Sequence, residues 1–319
     1  VRTAFIRALT EAAARNDRVT LLVGDLGFSV VEGFAAQFPG QYLNVGVAEQ
    51  NMAGVAAGLA LAGRIVFTYS IGNFPTLRCL EQVRNDICYH RLNVKVVTVG
   101  GGFAYGALGV SHHATEDLAI MRALPNMTVV APGDPAEAEW ATRALVDHAG
   151  ACYLRLGKAG EPLVHSQPTA FQLGRAIVAR EGGDCTLIAT GGMLYTTLQA
   201  ANALARTHRI EARVLSMHTL KPVDVDAVRA AASQTQAIIT VEEHSVIGGL
   251  GSAVADVLVE LNDRPRFKSI GLASQFATTV GDQQYLRERA GLSVPALVKT
   301  VACVLEPITT PTRQPTPTE

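Results

Sequence analysis

Residues 42–63, YLNVGVAEQNMAGVAAGLALAG, limit what this chain can fold into more than any other stretch. Glu49 is their one charged residue. Beyond it, Met52, Ala53, Ala56, Ala57, Leu59 and Ala60 are small or apolar and recur at helical spacing. A helix this smooth lets other backbone approach closely, so it belongs in an interior. A carboxylate at the mouth of a buried helix is costly to desolvate unless something pairs with it. Two readings of Glu49 stand side by side. It complements the positive end of the helix dipole, or it exchanges one proton with a ligand.

Around this helix, short apolar runs alternate with helical patterns. Residues 2–16 read as an amphipathic helix with charges spread through it, which is not a signal-peptide pattern. Strands are expected at 19–23, 42–45, 64–69, 94–99, 127–131 and 153–156. Helices are expected at 76–90, 115–123 and 134–148, the last opened by an Asp134 cap and Pro135. A proline-bearing stretch without periodicity follows, with residues 161–172 as the linker. Further strands are expected at 185–190, 212–217, 237–241 and 267–272, with helices at 194–207, 223–232 and 252–261. The pattern predicts an α/β protein of two domains, 1–160 and 173–306, each a mainly parallel sheet flanked by helices. The Pro/Thr-rich end, 307–319, is expected to be disordered. Ligands of such sheets bind beyond the carboxyl ends of the strands. That places Asp25, the 70–75 loop and the 100–113 segment on the binding side.

Composition serves mainly to exclude. With 48% hydrophobic and 17% charged residues, the chain can bury a large core and is not a disordered type. A net charge of -1 without a basic stripe gives no electrostatic footing for nucleic acid or an anionic membrane. No apolar run reaches membrane-spanning length. Five scattered cysteines with no CxxC pair predict reduced thiols in a cytoplasmic protein and no zinc site. The low charge suggests apolar surface that a partner or an oligomer covers.

Three segments could carry chemistry. In GGGFAYGALGVSHHATED (100–117), glycines let backbone come close to a ligand, and His112 and His113 follow. Adjacent histidines point different ways, so at most one faces a given site. A metal would need more ligands than Asp117 supplies. A histidine in such a loop is either structural or placed for proton transfer or substrate binding. Gly248–Gly251 precedes a helix but lacks dinucleotide spacing, which favours a tight turn with close helix packing. Glu242, Glu243 and His244 at a strand end read as a site or as an interface cluster. No GxxxxGK[ST] and no GxSxG is present.

Long collinear motifs carry a resemblance. NVGVAEQNMAGVAAGLALAG, the Asn73-Phe74 loop, LNVKVV and YGALGVSHHATEDLAIMRALPNMTVVAPGD through YLRLGK closely resemble the pyrimidine-binding domain of transketolase. CTLIATGGMLYTTLQAANALA, RVLSMHTLKPVD and TVEEHSVIGGLGSAVADVL resemble its C-terminal domain. The chain has no GDG motif, which in this superfamily holds the diphosphate and magnesium on a separate domain. The resemblance therefore implies the small subunit of a split transketolase. It also implies thiamine diphosphate, Mg2+ bound mainly by the partner, and small-molecule substrates. The partner would be a large subunit carrying the diphosphate-binding domain, in an α2β2 heterotetramer. By resemblance, Glu49 holds the cofactor's aminopyrimidine in the imino form that takes the thiazolium C2 proton. Phe74 stacks on the pyrimidine, with Ile71 and Leu77 completing that pocket, and Asp25 lies near the cofactor at the subunit contact. His112 contacts the substrate oxygen, and Arg2 and Ser29 meet the phosphate end of sugar substrates.

The departures are as specific as the matches. Leu108 stands where the family has an Asp that reads an acceptor hydroxyl, and Gly100 stands where it has a histidine. Lys158 aligns with a phosphate-clamping arginine, keeping charge but losing the fork. These exchanges imply a roomier, less polar pocket and an atypical, less hydroxylated acceptor for the transferred two-carbon ketol unit or related acyl-anion equivalent. Two other readings are the β-type component of a 2-oxo acid dehydrogenase and a non-catalytic subunit that completes a partner.

Overall fold

The computed structural model describes residues 1–306 other than Pro168, so the expectation for 307–319 lies outside the described residues. Six parallel strands build most of the first sheet: β1 (Val19–Val23), β2 (Tyr42–Asn44), β3 (Ile65–Ile71), β4 (Val94–Val99), β5 (Thr128–Val130) and β6 (Cys152–Leu156). A seventh, β10 (Thr219–Lys221), comes from the second half of the chain and pairs antiparallel with β5. The order is β10-β5-β6-β4-β3-β1-β2.

Strands β1, β4 and β6 are buried at every residue because helices cover both faces. Successive side chains alternate between those faces. Leu21, Val23, Phe67 and Tyr69 pack under α1 (Arg2–Ala13) and α6 (Pro135–Asp147). Leu22, Val66, Val94 and Val96 face α3 (Glu49–Leu61) and α5 (Asp117–Ala123). A short α2 (Glu32–Gln37) follows β1. The helix expected over 76–90 begins only at α4 (Leu80–Gln82) and continues as a π-helix, Val83–Cys88. Turn bonds take the residues before it. Phe74 N donates to Ile71 O, Leu77 N to Asn73 O, and the Thr76 hydroxyl to Gly72 O.

The second sheet has the order β12-β11-β8-β9-β7. It comprises β7 (Ile177–Arg180), β8 (Cys185–Ala189), β9 (Ala212–Ser216), β11 (Ala237–Ser245) and β12 (Arg266–Leu272), with β7 alone antiparallel to its neighbour. One layer of helices is α7 (Leu194–His208) against α11 (Val294–Leu305), and the other is α8 (Val225–Gln234) with α9 (Leu250–Leu258). A further helix, α10 (Gln283–Arg289), precedes α11, and neither was expected from the sequence. No helix among the described residues is long and apolar enough to cross a membrane.

The two halves share their interior. The cluster around α3 runs on to Leu215, Val228, Leu250 and Val254, and Phe103 enters the second half's cluster beside Leu187 and Leu286. At the seam the buried Arg155 donates to Asp117 (2.8 and 3.2 Å), to Ala114 O and to Glu243 O. Tyr153 donates its hydroxyl to the same aspartate at 2.5 Å. Asp117 is therefore occupied, and no histidine–aspartate metal set forms around it among the described residues.

The Gly248–Gly251 turn is closely packed. The Glu242 carboxylate already accepts the Leu250 and Gly251 amides at 2.7 and 2.8 Å, and a Cβ on Gly249 would stand 2.0 Å from it. Burial pushes Glu242 up to about 7, against the pull of those amides and of Arg155 and Arg122. Its folded pKa lies above the ordinary 4.5, so the stability it contributes is complete below that range and is lost as pH rises through about 7. The stability of Glu242→Gln relative to the parent should therefore rise between pH 4.5 and 7.5. The expected gain is about 3 kcal/mol, read from denaturant melts of both proteins in the same buffers.

Candidate active site

Glu49 opens α3 where β1 and β3 end, and it is 1% exposed. Its Oε1 accepts the Ser70 hydroxyl at 3.1 Å, and its Oε2 accepts Arg78 Nη1 at 2.7 Å. Ser70 lies near the end of β3 on the face turned toward α3, so the strand itself aims the hydroxyl. Arg78 comes from the turns between β3 and α4. Its guanidinium also lies 4.5 Å from the centroid of Phe74. Met52, Ala53, Thr68, Pro75 and Cys79 line a small cavity of about 10 Å³ together with Glu49.

Outside this pair a groove of about 590 Å³ opens between Phe74, Leu77, Arg78, Val110, Ser111 and Phe276. Phe276 reaches it from the second half of the chain and is 72% exposed. Asn73 fastens the groove by donating to the carbonyl of His113. The two histidines part as adjacent residues should. His112 sets its ring edge-on to Phe74 at 5.2 Å and bonds Ser111 Oγ, whereas His113 is buried against Phe103 and the Gly106 carbonyl. Burial, and then the neighbouring His113, lower the pKa of His112, so at neutral pH its imidazole is largely uncharged.

The expected site residues do not all converge. Phe74 and Leu77 line the groove together, His112 meets Phe74 edge-on, and Arg78 links Phe74 to Glu49. Asp25 lies close by at the end of β1 with φ +53°, in reciprocal hydrogen bonds with Asn44 at 2.9 and 3.1 Å. Ile71 packs with the cluster under α1, on the sheet face opposite Glu49. Lys158 stands elsewhere, over the Tyr105 ring, Arg2 begins α1, and Ser29 is exposed in a turn beyond β1. Leu108 is 55% exposed at the end of a 3-10 turn, Gly106–Leu108. The roomier pocket expected from Gly100 is not found. A Cβ there would lie 2.2 Å from the Tyr105 ring, which fills the space instead.

Sequence reasoning missed Arg78 and Ser70. Arg78 had a signal, being the first cation after the Asn73-Phe74 loop, but it read as one charge on a helix face. Its removal leaves Glu49 buried with only one partner. Arg78→Ala should cost about 1–3 kcal/mol in denaturant melts. Arg78→Lys should recover little, because an ammonium cannot bond the carboxylate and stack flat on Phe74 together.

These residues suit the pyrimidine half of thiamine diphosphate. Arg78 shows what the seat accepts: a flat group that lies on Phe74 and donates N–H to Glu49. The α9 N-terminus offers no anion seat, because the Glu242 carboxylate fills it.

Comparison with known proteins bears on the whole chain. Residues 1–160 match the family described as transketolase, pyrimidine binding domain, and residues 174–297 match transketolase, C-terminal domain. A 6-deoxy-6-sulfo-D-fructose transketolase subunit from Clostridium sp. (strain MSTE9) is 41% identical over 307 residues, 96% of this chain and 94% of that protein. One of the apulose-4-phosphate transketolase subunits of Phocaeicola vulgatus is 42% identical over 261 residues, 81% of this chain and 83% of that protein. Among solved structures, a split gene transketolase in an inactive beta4 tetramer superposes with a TM-score of 0.85 at 40% identity. The match covers 95% of this chain and 97% of that one.

Proposed function

The chain belongs to the transketolase family, and on that premise we propose that it is the small subunit of a split, thiamine-diphosphate-dependent transketolase. In this reading 1–160 is the pyrimidine-binding domain, 161–172 the linker and 173–306 the C-terminal domain. The missing half, a large subunit with the diphosphate seat and the magnesium ligands, completes an α2β2 assembly in the cytoplasm. The observation that carries the reading is the Glu49 carboxylate, buried beside Ser70 and Arg78 with the Phe74 ring at its mouth. The relatives add support: the split-gene neighbour is an inactive beta4 tetramer, and both named subunits act on unusual sugars.

When bound, thiamine diphosphate supplies an acidic carbon at the thiazolium and an electron sink for cleavage next to a carbonyl. The chain's own residues do the rest. Glu49 holds a proton-sharing contact at the pyrimidine ring nitrogen, and Ser70 fixes the carboxylate rotamer for it. Phe74, Leu77 and Arg78 line the groove beside Glu49 and would hold the pyrimidine there. His112, its pKa lowered by burial, lies edge-on to Phe74 beside the groove and would pass a proton to or from a substrate oxygen. Leu108, in place of an acidic residue, favours a less hydroxylated acceptor for the two-carbon unit.

Co-expression with a neighbouring reading frame that encodes GDG and a downstream Asn tests this proposal. The purified complex, assayed with thiamine diphosphate and Mg2+ against a panel of ketose donors and aldehyde acceptors, should transfer a ketol unit. Acyl transfer to lipoamide instead would replace the reading with a 2-oxo acid dehydrogenase component.

A further inference from the structure

A cavity of about 120 Å³ lies on the seam between the two halves, and residues of both line it. It shares no lining residue with the groove or the small cavity at Glu49. Arg155 reaches it from β6, Glu161 from the segment after β6, Thr196 from the start of α7, Glu243 from β11 and Arg287 from α10. Glu243 is fully engaged: it accepts the Phe103 amide, Gln283 Nε2 and Arg287 Nη2. Two other charged groups are only partly used. Arg155 is 5% exposed, and all its hydrogen bonds among the described residues come from Nε and Nη2. Its Nη1 lies 3.8 Å from where a Cβ on Gly191 would stand, at the cavity wall, and has no partner among the described residues. A buried guanidinium leaves a donor idle only at a cost. The Nε of Arg287 is likewise buried without a partner among the described residues. Glu161 accepts the Val1 amino group through Oε2 at 3.3 Å, while its Oε1 accepts nothing among the described residues. The start of α7 adds to the donor side. No side chain caps it and no acidic residue stands in its first turn, in contrast to α9, whose first amides bond Glu242. Its positive end opens on the cavity at Thr196.

We propose that this seam cavity binds a small free amino acid, with its carboxylate at Arg155 Nη1 and the start of α7 and its ammonium at Glu161 Oε1. The charges favour a zwitterion over a simple anion. Arg155 is offset by Asp117 and Arg287 by Glu243, so an anion alone would gain no net charge and would meet Glu161 in the same cavity. The volume suits glycine or serine and leaves no room for a long side chain. Charge-assisted hydrogen bonds at both ends would hold such a molecule. Once bound, it ties β6 of the first half to α7 of the second, so its binding stabilises the seam. The inference stands apart from the transketolase reading and does not depend on it.

Thermal melts of the full chain in rising millimolar glycine and, separately, L-serine test the proposal. The melting temperature should rise and saturate with at least one of them. Betaine keeps both charges but has no N–H, and acetate keeps only the carboxylate, so neither should give a saturable shift. Arg155 itself is left in place because it holds the seam. Glu161→Gln should need about tenfold more amino acid for the same shift, because the charge-assisted bond to the ammonium is lost. Thr196→Glu places a carboxylate in the first turn of α7, where it suits the helix and competes with the ligand. It should fold and should no longer respond, whereas Thr196→Val should respond like the parent. No saturable shift in the parent, or an equal shift with betaine, overturns the proposal. A saturable shift with acetate or inorganic phosphate and none with the amino acids overturns it in favour of a simple anion. Unchanged responses in both Glu161→Gln and Thr196→Glu would put the binding elsewhere and overturn it too.

Discussion

Glu49→Gln should leave a folded subunit that still assembles and binds thiamine diphosphate, yet the complex should lose about 10²–10⁴-fold in kcat. Glutamine keeps the size of the side chain, its carbonyl can accept Arg78, and its amide can donate to the Ser70 hydroxyl. What it lacks is a carboxyl group that shares a proton. The site gives no substitute: Ser70 and Arg78 only donate to this carboxylate, and no second carboxylate borders it among the described residues. Steady-state rates with saturating cofactor, beside circular dichroism and cofactor titration of the same sample, separate lost chemistry from lost binding. A fully active Glu49→Gln complex would put every enzyme reading of the chain in trouble.

The second large effect concerns folding. Arg155 and Asp117 are both buried at the seam between the halves, and each is fully engaged: the aspartate with Arg155 and Tyr153, the arginine with Asp117 and two backbone carbonyls. Removing one partner strands the other charge out of water. Arg155→Met should destabilise by about 3–5 kcal/mol in denaturant melts. The double variant, Arg155→Met with Asp117→Asn, should be less damaged than the sum of the two single variants, because neither charge is then left alone. Strict additivity would mean that the seam does not depend on this pair. Because Glu243 accepts the Phe103 amide and Arg287 beside the same pair, the loss should loosen both halves together.

The parallel strands are legible in the sequence because they are buried on both faces, so VTLLV and VKVVTV stand out as apolar runs. Strands β7 and β10 were not legible, since four and three residues become strands only through partners far along the chain. The apolar stretch of α11 is readable in retrospect from Pro295 at its start, and α10 from its Asp282 cap, which accepts the Tyr285 amide. Glu49 was conspicuous as the only charge in its stretch. Arg78 was hidden, because a cation folded back onto an acidic partner 29 residues earlier looks like any other exposed charge. Tyr105 was hidden for the opposite reason: what it packs on is a glycine, and the absence of a side chain read as space.

The central claim is that this chain holds half of an active site: the pyrimidine seat without the diphosphate seat. Calorimetric titration of thiamine diphosphate with Mg2+ into the chain alone, the partner alone and the equimolar mixture tests it most directly. The account predicts tight binding, near one cofactor per chain, only in the mixture, and no tight binding by this chain alone. Tight binding of the cofactor by the chain without its partner would contradict it.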